Sequence, residues 1–257
     1  MNLIQPAQRR FHFAVAVIGV LALLFATEGC STAKTAPPTT APPQRRDLAA
    51  MKAQQAALTP SQVLELLRRG NERFASGKPE PRDMLHDRQT TAAGQYPQAV
   101  ILSCIDSRAP AETIFDAGLG DLFNARIAGN IADADLVGSM EFACAVSGAK
   151  LVLVMGHTSC GAIKGACDHV QLGNLTGLLQ KIEPAVVSVH DVPGNRNSKN
   201  TAFVEAVSEA NVRLTVQRIR DLSPILRDME KAQKIQITGC IYDLSTGRVR
   251  FLPEIKR

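Results

Sequence analysis

The chain has 257 residues, 45% hydrophobic and 21% charged, a balance that excludes a disordered or fibrous protein. Its net charge is +5, but the basic residues are scattered and no aromatic-interleaved basic run occurs, which argues against nucleic acid as a partner. With residues 1–46 set aside, roughly 200 remain, enough for one domain whose core needs no disulfides.

Residues 1–33 read as an export signal. Arg9 and Arg10 give a positive start, and the apolar run from Phe11 to Ala26, broken only by His12, is short for a membrane span. Thr27-Glu28-Gly29-Cys30 resembles a bacterial lipobox, departing from it at Thr27 and Glu28. Cys30 is therefore a candidate for lipidation; cleavage nearby and an uncleaved anchor are the alternatives. The protein is expected in the periplasm of a bacterium, or anchored to a membrane as a lipoprotein. Residues 34–46, rich in Pro, Thr and Ala, read as a linker, and residues 47–257 as the domain.

Residues 47–75 read as helical, divided at Thr59, a cap, and Pro60, a first-turn residue. Val63, Leu64, Leu66, Leu67 and Phe74 supply an apolar stripe. Residues 76–97 are polar, with prolines and glycines, and read mostly as loop. A short apolar strand follows at 98–104 (QAVILSC) and a second at 121–127 (DLFNARI). A helix over 134–147 leads into the most apolar strand, 150–156 (KLVLVMG), and further helices are interrupted by a polar loop at 191–200. Residues 234–240 (KIQITGC) form a fourth strand, and 247–252 (GRVRFL) return to it after a turn. This alternation predicts an α/β fold: a mainly parallel β-sheet of four parallel strands plus an antiparallel edge strand, flanked by helices. Ligands of such sheets bind beyond the carboxyl ends of the strands.

Two motifs fall at those ends. Cys104-Ile105-Asp106-Ser107-Arg108 closes the first strand, and Gly156-His157-Thr158-Ser159-Cys160-Gly161 closes the third. Zinc takes sulfur and nitrogen donors tetrahedrally, and a catalytic zinc keeps one position for water. Cys104, His157 and Cys160 supply three ligands; Asp106 reaches the metal or its water, and Arg108 can pair with Asp106. A redox pair between Cys104 and Cys160 is the competing reading, and it leaves His157, Asp106 and Arg108 unexplained. Cys144, Cys167 and Cys240 sit in apolar stretches and read as small buried hydrophobes. His86, His169 and His190 read as surface or loop residues.

These residues resemble the β-class carbonic anhydrases. That family's C-x-D-S-R and H-x-x-C-G motifs match Cys104 to Arg108 and His157 to Gly161. Its G-D-x-F…R-N-x-[AG]-N segment matches Gly120 to Phe123 and Arg126 to Asn130, with Ile127 replacing the usual asparagine. The resemblance runs from about Leu58 to Leu252. It implies a Zn2+ hydro-lyase interconverting CO2 and bicarbonate, with Asp106 and Arg108 catalytic and Asp106 a fourth ligand only in a closed, inactive form. It also implies a substrate cleft lined by Gln95, Phe123 and Phe142, the last usually a tyrosine. The aromatics of that cleft reach across a subunit interface, so a homodimer or higher homo-oligomer is expected. One branch of the family has a bicarbonate regulatory pocket containing tryptophan; this chain has no Trp, and Ile101 stands at that position, so no such pocket is expected although Arg126 matches its arginine. The alternatives are a carbonyl sulfide or carbon disulfide hydrolase on the same fold, a non-catalytic zinc protein closed by Asp106, and a thiol redox protein.

Overall fold

The structure, a computed structural model, describes residues 45–253 and residue 255. The export signal, Cys30 and the linker up to residue 44 lie outside the described residues.

Helices α1 (Leu48–Ala57) and α2 (Pro60–Ala75) divide where the sequence predicts. Thr59 caps α2 in a reciprocal box: the Gln62 N–H donates to Thr59 Oγ1, and Gln62 Oε1 accepts from the Thr59 N–H. Both helices fold against their own chain. Gln55 of α1 is buried and donates to the carbonyls of Pro97 and Ser147 at 2.6 and 2.8 Å.

The segment 76–97 is mostly loop, as expected, but it also contains one helix the sequence reading did not place, α3 (Met84–Thr91). This helix has little apolar periodicity and is held by polar groups instead. Asp83 caps it, and buried Asp87 pairs with Arg46 at 3.2 Å. Arg46, which composition assigns to the linker, also pairs with Asp121 at 2.5 Å and donates to the Leu119 carbonyl.

The strands are β1 (Ala99–Ser103), β2 (Leu122–Arg126), β3 (Leu151–His157), β4 (Gln236–Tyr242) and β5 (Val249–Phe251), ordered β2-β1-β3-β4-β5. The first four are parallel and β5 is antiparallel to β4, as predicted. Every residue of β1 and β3 is buried, so these central strands carry continuous apolar runs. Short helix α4 (Ala111–Ile114) follows β1. The predicted helix over 134–147 is α5 (Ala134–Glu141), continued as a wider π-helical turn at Phe142–Val146.

Beyond β3 come α6 (Gly161–Cys167), α7 (Gly173–Gln180), α8 (Glu183–Ser188), the long α9 (Thr201–Leu222) and α10 (Pro224–Lys231). One sheet face packs Val100, Leu102, Val152 and Val154 against Val137, Met140, Val212 and Val216. The opposite face packs Ile101, Leu153 and Met155 against Val63, Leu67 and Phe115. Glycines set how near α9 comes: a Cβ on Gly156 would lie 2.7 Å from Val212 Cγ2, and one on Gly239 would also collide with Val212. A third cluster, containing Cys104, Cys160, Ile163, Ile182 and Phe203, lies at the carboxyl ends of β1 and β3.

Candidate metal centre

Neighbouring parallel strands β1 and β3 deliver the two motifs to one edge of the sheet. Cys104 leaves the end of β1 and His157 is the last residue of β3, while Cys160 precedes α6. Ser159 takes a left-handed backbone at φ 55°, which turns the chain sharply between His157 and Cys160. Thr158 pins this turn to the neighbouring strand. Its N–H donates to the Tyr242 carbonyl, and its Oγ1 accepts from the Leu244 N–H.

The ligand atoms of Cys104, His157 and Cys160 lie within 4.8 Å of one another, and all three residues are buried. Both cysteines are free thiols, with sulfurs 3.9 Å apart. His157 Nδ1 lies 2.9 Å from the Thr158 carbonyl. A carbonyl only accepts, so Nδ1 carries the proton and Nε2 keeps its lone pair. Nε2 is buried and has no hydrogen-bond partner. An unpartnered buried lone pair beside two thiols is costly in a bare protein and suited to a metal.

Hydrogen bonds favour sulfur as thiolate. The Cys160 thiol and the backbone N–H groups of Gly129 and Asp106 hold the Cys104 thiol well below its usual range, against the opposing effect of burial. Without metal the two sulfurs share a proton, so the Cys104 thiolate and burial push Cys160 up, while the N–H groups of Ala162 and Ile163 oppose this. Gly129 reaches Cys104 Sγ at 3.4 Å from a left-handed backbone, φ 70°.

Asp106 and Arg108 lie beside these donors. Arg108 Nε and Nη2 donate to the two Asp106 oxygens at 2.9 and 2.8 Å, and its backbone N–H donates to Oδ1 at 3.0 Å. The Arg108 guanidinium therefore holds the Asp106 carboxyl far below the usual carboxylate range, although desolvation opposes it. Asp106 Oδ2 is 3.9 Å from His157 Nε2. Arg126 supports the loop from behind, donating to the carbonyls of Cys104 and Asp106 at 2.9 and 2.5 Å.

The predicted cleft residues lie elsewhere in the single chain. Gln95 precedes β1, at the opposite end of that strand from Cys104, and is exposed on a cleft of about 570 Å³ with Arg88, Gly94 and Leu119. Phe123 packs edge-on against Phe142, ring centroids 6.1 Å apart, and Phe142 is 52% exposed. Phe123 pairs in register with Val100, near the start of β1. Ile127 packs between two of the hydrophobic clusters. Cys144, Cys167 and Cys240 are buried as expected, and burial pushes the Cys144 and Cys167 thiols up to about 12 and 11. His169 and His190 are exposed; His86, in α3, is half-buried against the Arg46 carbonyl.

The family model for carbonic anhydrase matches residues 99–249, which include both cysteine motifs and the whole sheet as far as the start of β5. The chain belongs to the β-carbonic anhydrase family. Among curated relatives, carbonic anhydrase 2 of Mycobacterium tuberculosis is 35% identical over 195 residues, covering 74% of this chain and 91% of that one. The solved β-carbonic anhydrase CafA of Aspergillus fumigatus aligns at a TM-score of 0.58 with 26% identity, covering 66% of this chain and 81% of its own. A chain from the crystal structures of two tetrameric β-carbonic anhydrases of Sordaria macrospora shares the fold, at a TM-score of 0.57 and 24% identity, covering 65% of this chain and 86% of that one.

Sequence reasoning missed the groups that hold this family site in place. Gly129, Thr158, Ser208 and Asn211 all bond to the ligand residues or to the loops carrying them. For the last two the only signal is that they are polar positions among the buried residues of α9, a property they share with Thr215 and Arg220 and which does not single them out.

Proposed function

We propose that the protein is a zinc-dependent enzyme that reversibly hydrates CO2 to bicarbonate and a proton. The observation that carries this reading is the buried, unpartnered His157 Nε2, grouped with two thiol sulfurs beside an Asp106 carboxylate that Arg108 keeps ionised. Two sulfurs and one imidazole nitrogen match a zinc site that keeps a fourth position open. When bound, zinc acidifies water at that position, so hydroxide is available near neutral pH.

The remaining work falls to the chain's own groups. Asp106 Oδ2, close to His157 Nε2, accepts a hydrogen bond from the attacking water or hydroxide and turns its lone pair towards CO2. Arg108 keeps that carboxylate charged and turned from the ligand atoms. The N–H of Gly129 offsets charge on the Cys104 sulfur. Gln95, Phe123 and Phe142 are proposed to line the substrate cleft where a second copy meets the first. The half-exposed Phe142 and the tetrameric state of the Sordaria relatives support a homo-oligomer. Export, with lipidation at Cys30, is proposed from the sequence of residues 1–33.

Metal analysis and stopped-flow CO2 hydration on one preparation test the reading. About one zinc per chain with hydration activity is expected. A metal-free, inactive and folded protein overturns it, and faster turnover of carbonyl sulfide than of CO2 favours the hydrolase alternative.

A further inference from the structure

Helix α9 presents a buried face of Phe203, Val204, Val207, Val212, Val216 and Ile219 to the sheet and to the third core cluster. Ser208 and Asn211 interrupt that face. Each is only 3% exposed, and they stand three residues apart, one turn along the helix. A buried hydroxyl or amide is costly unless bonded, so the destinations of their hydrogen bonds explain their presence.

Both destinations lie next to the metal ligands. Ser208 Oγ donates to the carbonyl of His157 itself at 3.2 Å. Asn211 Nδ2 donates to the carbonyl of Gly129 at 2.8 Å, and the N–H of Gly129 reaches Cys104 Sγ at 3.4 Å. One helical turn thus grips the end of β3 and the turn after β2, and through them the imidazole and one sulfur. The grip depends on how close α9 lies to the sheet, which glycines at 156 and 239 permit.

We infer that Ser208 and Asn211 are positioning residues that fix the ligand set from α9, Ser208 through the His157 backbone and Asn211 through Gly129 and the N–H···S bond to Cys104. The inference rests on the zinc reading above. Gly129 occupies a left-handed conformation, and the two peptide units that flank it are both held, the one after it by Asn211 at the carbonyl and the one before it by Cys104 at the N–H. Without Asn211, the Gly129 carbonyl is free to turn, the residue can leave its left-handed conformation, and the preceding peptide N–H is drawn from the sulfur. The Cys104 thiolate then loses a hydrogen bond and donates more charge to a bound metal. Groups that orient ligands in this way typically contribute about 10-fold or more to metal affinity.

The test uses the full chain, with Asn211→Asp, Ser208→Ala and Thr215→Val compared at matched folded fraction. Asp keeps the shape of Asn and presents an acceptor to the Gly129 carbonyl. Thr215 is a buried neighbour one turn on along the same helix and serves as the control. Zinc affinity is measured by chelator competition, and the cobalt-substituted protein reports sulfur-to-metal charge transfer by absorption. Expected is zinc binding weakened about 10-fold or more in both site variants. Asn211→Asp should also move the sulfur-to-cobalt band to longer wavelength, and Thr215→Val should change neither readout. Folded site variants with wild-type affinity and spectrum overturn the inference. If Asn211→Asp does not fold, Ser208→Ala decides, and wild-type affinity there overturns it. Wild-type protein that binds no zinc sinks the zinc reading itself, and this inference with it.

Discussion

Arg108 grips Asp106 with three donors, two from its guanidinium and one from its own backbone N–H, at 2.8–3.0 Å. Asp106 is thereby held ionised at 3.9 Å from His157 Nε2. If this pair only stiffened the loop, Asp106→Asn would cost stability and leave turnover intact. In the reading advanced here, Asp106→Asn keeps zinc but can turn its NH2 towards the nucleophile, and CO2 hydration falls roughly 10²-fold or more. Arg108→Ala releases Asp106 to approach the metal, leaving zinc bound and activity low. Zinc content and stopped-flow rates of both variants decide between the roles. Near wild-type rates in two folded, zinc-loaded variants would reduce the pair to a structural one.

The ligand assignment separates one class of thiol from another. Cys160→Ser should lose most of its zinc, because the site then has one sulfur and one imidazole left. Cys144→Ala should keep it. That thiol is buried among α5 and sheet residues, and burial pushes it up to about 12, so it is not a thiolate near neutral pH. Elemental analysis after dialysis against a weak chelator makes the comparison. Equal zinc in both variants contradicts the assignment.

What could be read from the sequence follows from where each element gets its stability. β1 and β3 are wholly buried, so their apolar runs stand out, and the motifs at their ends were placed to within a residue or two. α2 announced itself by an apolar stripe and by Thr59-Pro60. α3 did not, because its stability comes from Asp83 and from an ion pair to Arg46, distant in sequence, and no local pattern encodes that pairing. The three proposed ligands were legible because sulfur and imidazole at strand ends are chemically distinctive. Ser208 and Asn211 were not, since only tertiary packing shows which carbonyl a buried hydroxyl or amide meets. Gln95, Phe123 and Phe142 entered by resemblance alone, and within one chain Gln95 stands at the far end of β1 from Cys104.

Asp116 links acid stability to one buried carboxylate. Burial alone would raise its pKa, yet hydrogen bonds from Arg73, the Glu80 N–H and Arg82 outweigh it and hold the carboxyl below its usual range. A depressed folded-state pKa contributes stability that is present above the unfolded value of about 4 and is lost as pH falls through the folded value. Asp116 also has a left-handed backbone, φ 44°, which asparagine tolerates best among uncharged isosteres. Asp116→Asn therefore tests the charge rather than the turn. It should cost about 2 kcal/mol near neutral pH, and the gap to wild type should narrow as pH drops below about 4. Urea melts at several pH values measure this. A gap independent of pH would rule out the carboxylate as a source of acid sensitivity.

The approach of α9 to the sheet is the last relationship open to test. Alanine at a strand glycine normally gains about 0.5–1 kcal/mol by restricting the unfolded chain. At Gly156 the added Cβ would lie 2.7 Å from Val212 Cγ2 and 3.0 Å from Ile241 Cδ1, both in a filled core. Overpacking of this kind costs about 1–3 kcal/mol, so the clash wins and Gly156→Ala should be destabilising. Val212→Ala alone should cost about 2 kcal/mol, by leaving a cavity. Combined, the small residue makes room for the added methyl, and the double variant should be more stable than the sum of the singles by about 1 kcal/mol or more. Thermal or urea melts of the four proteins close this cycle. The same set bears on the metal site. Gly156 adjoins His157, and displacing α9 draws Ser208 away from the His157 carbonyl, so Gly156→Ala should also bind zinc less tightly, with Val212→Ala restoring part of the loss. Additive stabilities across the cycle would show that α9 does not bear on the sheet at Val212.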